Sequence, residues 1–220
     1  MSNLRLLFTI ISLAAIARAQ LVGSDVVLVR TSHQSMGKAS VSYCREMTRQ
    51  HHKRELDQDA NPGHRRHKSE PEGVKPSNHT SAPTPSSPPL TTVDLTPAKL
   101  NTACYPGTFQ APLLEDCEVV IRAQLYNSTG SLQVSPGDYV FVSYGTCATV
   151  FQNPQYSKYS LQYNWAELGY VGGKLAGRCL LPEDHSMGGT AVFDTYLGRT
   201  YPDVIISLQR FDDRDFIIPE

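Results

Sequence analysis

The placement of five cysteines constrains this 220-residue chain more than any other feature. Cys44 lies before the basic pair Lys53-Arg54, and the other four cysteines follow that pair: Cys104, Cys117, Cys147 and Cys179. Cutting the chain after Arg54 would therefore leave an even number of thiols, which predicts two disulfides. The long gaps contain no C-x-x-C knuckle, so no metal site is expected among these residues. Four cysteines allow three pairings, and the sequence does not select one.

The first 19 residues predict secretion. Arg5 supplies the positive start of a signal peptide, residues 6–16 form its apolar centre, and residues 17–19 read Ala-Arg-Ala, which fits a signal peptidase that cuts after Ala19. The apolar run is shorter than the roughly 20 residues that cross a bilayer as a helix, so we expect no membrane span. A buried N-terminal helix is the alternative interpretation. Secretion to the cell exterior or cell wall places the cysteines where disulfides persist.

Composition divides the remainder into three parts. We interpret residues 20–54 as a propeptide, 55–103 as a disordered linker rich in Ser, Thr and Pro, and 104–220 as a disulfide-bonded globular domain. The basic pairs that end at Arg54 and Arg66 suit a kexin-type processing protease of the secretory pathway. Basic pairs are also common by chance in a solvated linker, so the alternative is that neither pair is cut.

Two acceptor motifs predict N-glycosylation. Asn78-His-Thr lies in the linker, and Asn127-Ser-Thr lies in a loop that ends a predicted helix. Both positions fit a chain that passes through the secretory pathway.

The charge distribution argues against nucleic acid as a partner. Residues 1–54 hold eight of the 20 basic residues and two of the 21 acidic ones, so the remainder has 12 basic and 19 acidic side chains, a formal charge of −7. Nucleic acids and anionic membranes both select a basic surface. Histidines cluster between residues 51 and 79, but they lie in a mixed-charge stretch with no defined ligand spacing. We therefore expect no metal and no cofactor.

Periodicity within residues 104–220 predicts an α+β fold. A helix is expected from an N-cap at Asp116, and a strand rich in Tyr and Val is expected over 139–151 with a bend at Gly145. A second helix is predicted over 160–178 although it contains four glycines, which either permit close contact with a sheet or shorten the helix. Two further strands follow, over 190–196 and 203–211. The simplest arrangement packs two helices on one face of a small antiparallel sheet, stapled by disulfides and preceded by a disordered stalk.

A few widely spaced residues carry a resemblance. The succession Asp116-Cys117, then Tyr144-Gly-Thr-Cys147, then an apolar helix that ends in Cys179, then Gly188-Gly189 resembles fungal small secreted cysteine-containing proteins. It is distantly similar to the necrosis-inducing secreted effectors of fungal plant pathogens, whose fold is thought to approach that of a killer toxin. The resemblance implies an effector-like secreted protein and assigns no functional residues. Cys44 and the long N-terminal segment depart from the pattern.

No motif predicts catalysis. The domain lacks a G-x-S-x-G elbow, an H-E-x-x-H helix and a phosphate-binding glycine loop after a strand. Residues 182–186 group two acids, His185 and a serine, but catalytic triads are assembled from distant segments, so a polar loop is the better interpretation. We therefore predict no catalytic residues.

Tyrosine is the residue that favours binding. The chain has 11 tyrosines against seven phenylalanines and one tryptophan, and several surround Trp165. Tyrosine supplies contact area and a hydroxyl, so Tyr159, Tyr163 and Trp165 are the predicted contacts for an extracellular glycan or protein. The alternative is that these rings pack at the rim of the sheet. Function is thus predicted to be extracellular binding at a host surface or cell wall, with a secreted hydrolase and a structural wall component as alternatives; no oligomeric state is predicted.

Overall fold

The computed structural model describes residues 26–48, 91–106, 110–181, 186–212 and 217–218. The predicted signal peptide, both basic pairs, Asn78, His185 and most of the linker lie outside the described residues. Within the described part the chain forms ten strands and two helices: β1 (Val26–Met36), β2 (Ala39–Thr48), β3 (Thr92–Asp94), β4 (Leu100–Pro106), α1 (Leu114–Tyr126), β5 (Ser131–Val134), β6 (Asp138–Tyr144), β7 (Cys147–Gln152), β8 (Ser160–Asn164), α2 (Trp165–Cys179), β9 (Ser186–Phe193) and β10 (Ile205–Arg210). Neither of these helices has the length and apolar character that a membrane-spanning segment requires.

The strands form one large sheet and one small one. The large sheet has the order β1-β2-β6-β7-β10-β9-β4, and every neighbouring pair in it is antiparallel. The small sheet has the order β3-β8-β5, with β3 parallel to β8. Two helices, mostly antiparallel strands and two disulfides are therefore confirmed, but strands dominate the described residues and the main sheet has seven of them.

Alternation along β6 gives the large sheet two apolar faces. Val140 and Val142 join the main core, which also contains the buried sides of both helices and of the small sheet. Tyr139 and Phe141 face the other way and form a second, smaller cluster with residues of β1, β2 and β7. This period of two is what an extended backbone imposes on its side chains.

The turn between β6 and β7 is fixed to the start of α1. The predicted single strand over 139–151 is two strands, because Gly145 has φ +51° and, with Thr146, closes a two-residue turn. The Asp116 carboxylate accepts hydrogen bonds from the Thr146 backbone N and Oγ1, both at 2.7 Å. Asp116 is therefore not the predicted N-cap; the capping position is Leu113, whose side chain makes no cap bond.

The second helix is shorter than predicted. Residues 160–164 form strand β8, in which Leu161 and Tyr163 point into the core. The apolar residues that predicted one helix over 160–178 therefore belong to a strand followed by a helix. Asn164 then caps α2 by accepting hydrogen bonds from the backbone N of Ala166 and Glu167.

Two glycines of α2 allow α1 and α2 to approach closely. A Cβ on Gly169 would lie 2.9 Å from the Gln124 Cβ and 3.2 Å from the Ile121 carbonyl O, both on α1. A Cβ on Gly172 would lie 3.2 Å from Thr149 Oγ1 on β7. The glycines thus serve a contact between helices as well as the predicted contact with the sheet.

The four cysteines of residues 104–179 form two disulfides. Cys104–Cys179 joins β4 to the end of α2, and Cys117–Cys147 joins α1 to the start of β7. Both therefore connect the helical layer to the large sheet, and each closes a long loop that would otherwise add conformational entropy to the unfolded chain.

The N-terminal hairpin belongs to the large sheet. Strand β2 pairs with β6 from Ser40 opposite Ser143 to Arg45 opposite Asp138, and β1 continues the sheet beyond it. The predicted globular range 104–220 therefore omits β1, β2 and β3, and the predicted propeptide and linker ranges both contain strands. Processing after Arg54 and Arg66 stays a prediction.

Cys44 is a free thiol buried in this hairpin. Its exposure is 1%, and it packs in the second cluster with Leu28, Tyr139 and Phe141. Burial raises the pKa of the Cys44 thiol to about 12, with a smaller opposing effect from the Arg30 charge. An apolar environment that keeps the thiol protonated explains how this cysteine remains unpaired.

A methyl group at Gly145 should destabilise the fold. In Gly145→Ala the new Cβ would lie 2.5 Å from Asp116 Oδ2 at a positive φ, so we expect a loss of about 1–3 kcal/mol in the free energy of unfolding. Gly177→Ala is the control, because no atom lies within 4 Å of its added Cβ, and it should gain about 0.5–1 kcal/mol. Denaturant titration of both variants measures the difference; equal midpoints would contradict the proposed contact.

The pKa of Cys44 predicts a loss of stability at alkaline pH. The folded state holds the thiol proton up to about pH 12, whereas the unfolded chain releases it near pH 9, so the contribution is complete below pH 9 and falls as pH rises above it. The expected slope is about 1.4 kcal/mol per pH unit. Unfolding of the native chain and of Cys44→Ala should be compared at pH 7 and pH 10. The stability of the native chain relative to Cys44→Ala should be lower at pH 10 than at pH 7. The same difference at both pH values would show that folding does not raise the pKa of Cys44.

Candidate functional site

The structure separates the three predicted binding residues. Tyr163 is fully buried between Phe151 and Phe193, with ring centroids 5.5 and 5.7 Å away, and Trp165 is 6% exposed in the same core. The prediction that these two residues contact a ligand is therefore wrong, and the packing interpretation holds for them. Tyr159 is half-buried and reaches the surface, where it lines a cleft.

This tyrosine cleft lies between two loops, one over residues 154–159 and one over 194–204. Its volume is about 370 Å³, and its walls include Tyr156, Lys158, Tyr159, Arg199, Tyr201 and Pro202. A volume of this size lies within the range of small-molecule sites in proteins. Arg199 and Tyr201 could not be predicted from the sequence, because they lie some 40 residues after Tyr159 and approach it only in the folded chain.

Two side-chain amides at the end of β7 hold both loops in place. Asn153 is fully buried, and its Nδ2 donates to the carbonyl O of Val134 and of Tyr159, each at 3.0 Å. Gln152 Nε2 donates to the Asp203 carbonyl O, also at 3.0 Å. The two walls of the cleft are therefore anchored to two adjacent residues at the end of one central strand.

Left-handed backbone conformations occur beside the cleft. Leu197 has φ +51° and Gly198 has φ +68°, which makes a type I′ turn between the paired residues Tyr196 and Arg199. Asp203 has φ +60° and follows Pro202 in a second turn. Among the described residues, Leu197 and Asp203 are the non-glycine residues with positive φ. Such strain persists where the surrounding structure fixes the backbone, and it is frequent at functional sites.

An arginine stacked on a tyrosine brings a positive charge into the cleft. The Arg199 guanidinium carbon lies 4.8 Å from the centroid of the Tyr159 ring, and the Tyr201 ring lies 6.1 Å from that ring. No carboxylate pairs with Arg199 within the described part of the chain. The positive charge is therefore oriented by an aromatic face and still able to bind an anionic group.

The acid beside the cleft is already engaged. The Tyr156 hydroxyl donates a hydrogen bond to the Asp203 carboxylate. Partial burial, followed by this carboxylate, raises the pKa of Tyr156 to about 12, so its hydroxyl keeps its proton at physiological pH. Lys158 and Arg199 line the cleft, whereas the Asp203 carboxylate lies beside it, so the described lining carries two basic side chains and no acidic one.

A second cavity lies beside α1. This groove, about 610 Å³, runs between the β1–β2 turn at Gly37-Lys38 and α1, and Glu115, Glu118 and Arg122 line it. It lacks aromatic walls, and its charges are mixed, so it offers less to a specific ligand. The acceptor Asn127 is exposed at its end, at the C-terminus of α1 as predicted, but the described structure does not test its glycosylation.

Metal-ligating side chains do not cluster in the described residues. These residues contain no group of three or more His, Cys, Asp or Glu side chains arranged to hold a metal. His185, the histidine weighed for a hydrolase, lies outside them, so the hydrolase alternative stays untested.

Removal of the Asn153 amide should loosen the cleft and destabilise the chain. Asn153→Ala leaves the carbonyl groups of Val134 and Tyr159 without their donor, and we expect a loss of about 1–3 kcal/mol in the free energy of unfolding. Gln155→Ala is the control, because Gln155 is exposed in the same loop and should change stability by less than about 0.5 kcal/mol. Chemical denaturation measures both; similar midpoints would show that other contacts hold the loop.

Comparisons with known proteins give this fold no relative: no family model, no curated protein and no solved structure matches the chain. The resemblance to fungal secreted effectors therefore stays a prediction.

Proposed function

We propose that this chain is a secreted, extracellular binding protein and that the tyrosine cleft holds a carbohydrate that carries an acidic group. The observation that carries the proposal is the Arg199 guanidinium, stacked on Tyr159 inside a cleft and without a carboxylate partner among the described residues. A guanidinium presents several donors that match the geometry of a carboxylate. Tyrosine rings supply the flat apolar area against which a sugar ring packs.

Several features support a binding role outside the cell. Two disulfides connect the helical layer to the sheet, and such bonds persist in oxidising compartments. The predicted signal peptide favours the same compartment. The anchoring of both loops by Gln152 and Asn153 keeps the cleft formed before a ligand arrives, which lowers the entropy that binding must overcome.

The size and charge of the cleft favour a glycan over a protein partner. Protein interfaces bury several hundred Å² on each side, whereas a cavity of about 370 Å³ encloses a small unit of an oligosaccharide. Lys158 is exposed at the rim near Arg199, so an acidic sugar would meet two cations. In line with the resemblance to secreted effectors, the acidic glycan would belong to a host surface or a cell wall.

Loss of either member of the stacked pair Tyr159–Arg199 should weaken binding, whereas loss of an equivalent cation–ring pair outside the cleft should not. Against a panel of neutral and uronate-containing oligosaccharides, Tyr159→Ala and Arg199→Ala should each weaken binding of the acidic members by tenfold or more, since tenfold corresponds to about 1.4 kcal/mol. Isothermal titration calorimetry measures the affinities.

The chain provides a matched control in α2. Lys174 lies 4.8 Å from the ring of Tyr170, which is 53% exposed and outside the cleft, so Tyr170→Ala and Lys174→Ala should bind as the native chain does. An equal loss of affinity in the cleft variants and in the α2 variants would reject the cleft as the binding site. Absence of binding to any glycan of the panel would reject it as well. Equal affinity for neutral and acidic members would retain the cleft and reject the acidic ligand.

A further inference from the structure

The N-terminal hairpin is held by the rest of the fold along both of its edges. Strand β2 pairs with β6 over Ser40–Arg45. On the outer edge, the Arg30 backbone N donates to the Ile217 carbonyl O at 2.9 Å, and Ile217 N donates to the Leu28 carbonyl O at 2.8 Å. The hairpin therefore lies between β6 and a segment near the C-terminus, with backbone bonds to each.

Side chains reinforce the inner edge. Arg45 binds Asp138 of β6 through two hydrogen bonds, from Nε at 2.8 Å and from Nη2 at 3.2 Å. The Tyr139 hydroxyl donates to Glu46 Oε2 at 3.2 Å. These bonds join groups that are more than 90 residues apart in sequence, and they fix the register of β2 against β6.

Apolar contacts bind the hairpin to both cores. Met36, Ala39 and Val41 lie in the main core, and Val41 is fully buried there opposite Val142. Leu28 and Cys44 lie in the second cluster, on the opposite face of the sheet. Removal of the hairpin would expose apolar surface of the remaining fold on both faces, which is unfavourable in water.

No disulfide joins the hairpin to the remainder. Both bridges lie within residues 104–179, and Cys44 is a free thiol. The basic pairs Lys53-Arg54 and Arg65-Arg66 follow β2 and precede β3 in the sequence. A cut at either pair would therefore leave two chains that are held together by non-covalent contacts alone.

We propose that processing at these pairs produces a two-chain protein and releases no propeptide. The small chain carries β1 and β2, the large chain begins near Glu55 or His67, and pairing of β2 with β6 holds them together. The hairpin is thus a permanent subunit of the mature fold. This inference is independent of the ligand of the tyrosine cleft.

The test uses the full chain, secreted uncut from a host without kexin activity and then digested with a purified kexin-type protease. Native size-exclusion chromatography should give one peak, and intact mass analysis of that peak under denaturing conditions should find both chains without reductant. Elution of the large chain alone would overturn the proposal. Failure of the protease to cut at either pair would overturn the processing step.

Cys44 supplies a second readout, because the other four cysteines are bonded to each other. In the cut protein this buried thiol should stay unreactive towards a thiol reagent at pH 8 and react fully after addition of guanidinium. Reaction at the rate of a free peptide would show that the hairpin leaves the sheet.

Paired variants test the inner edge. Arg45→Ala removes the bonds to Asp138, and we expect the small chain to dissociate about two to five times faster from the cut protein. Lys38→Ala removes one charge from the exposed turn of the same hairpin, away from that pair, and should leave the rate unchanged. Equal rates in the two variants would show that the Arg45–Asp138 contact does not hold the chains together.

Discussion

The bonds between the β6–β7 turn and the first turn of α1 fix the position of that helix on the large sheet. Asp116 binds Thr146 through two short hydrogen bonds, and the adjacent Cys117 is bonded to Cys147. Strands β6 and β7 are central in the large sheet, so β2 pairs on one side of them and β10 on the other. The glycine at 145 is required because a side chain there would occupy the space of the Asp116 carboxylate.

The cleft depends on the same central hairpin at its opposite end. Strand β7 begins at the disulfide and ends at Gln152, and Asn153 follows directly. The two amides orient loops that belong to distant parts of the sequence. A rigid strand that carries adaptable loops at its end is a common way to combine stability with binding.

Local signals predicted some elements well and could not predict others. Periodicity predicted helix α1, β-branched residues predicted strand β10, and an even number of cysteines after Arg54 predicted the two disulfides. The β1–β2 hairpin was missed because its exposed residues around Thr31 are polar and its partner β6 lies some 90 residues away. Composition could not show that Tyr163 is buried, and burial rather than residue type decides which tyrosines can contact a ligand.

The burial of Cys44 has a consequence for how the disulfides form. If the chain enters an oxidising compartment as predicted, its five thiols can form two bridges in more ways than the three open to four thiols, and most of these pairings would involve Cys44. A thiol reacts as its thiolate, and the sheet suppresses that form at position 44. Pairing of β2 with β6 before oxidation is complete would withdraw Cys44 from exchange. The hairpin would then favour the two native bridges over mispaired ones.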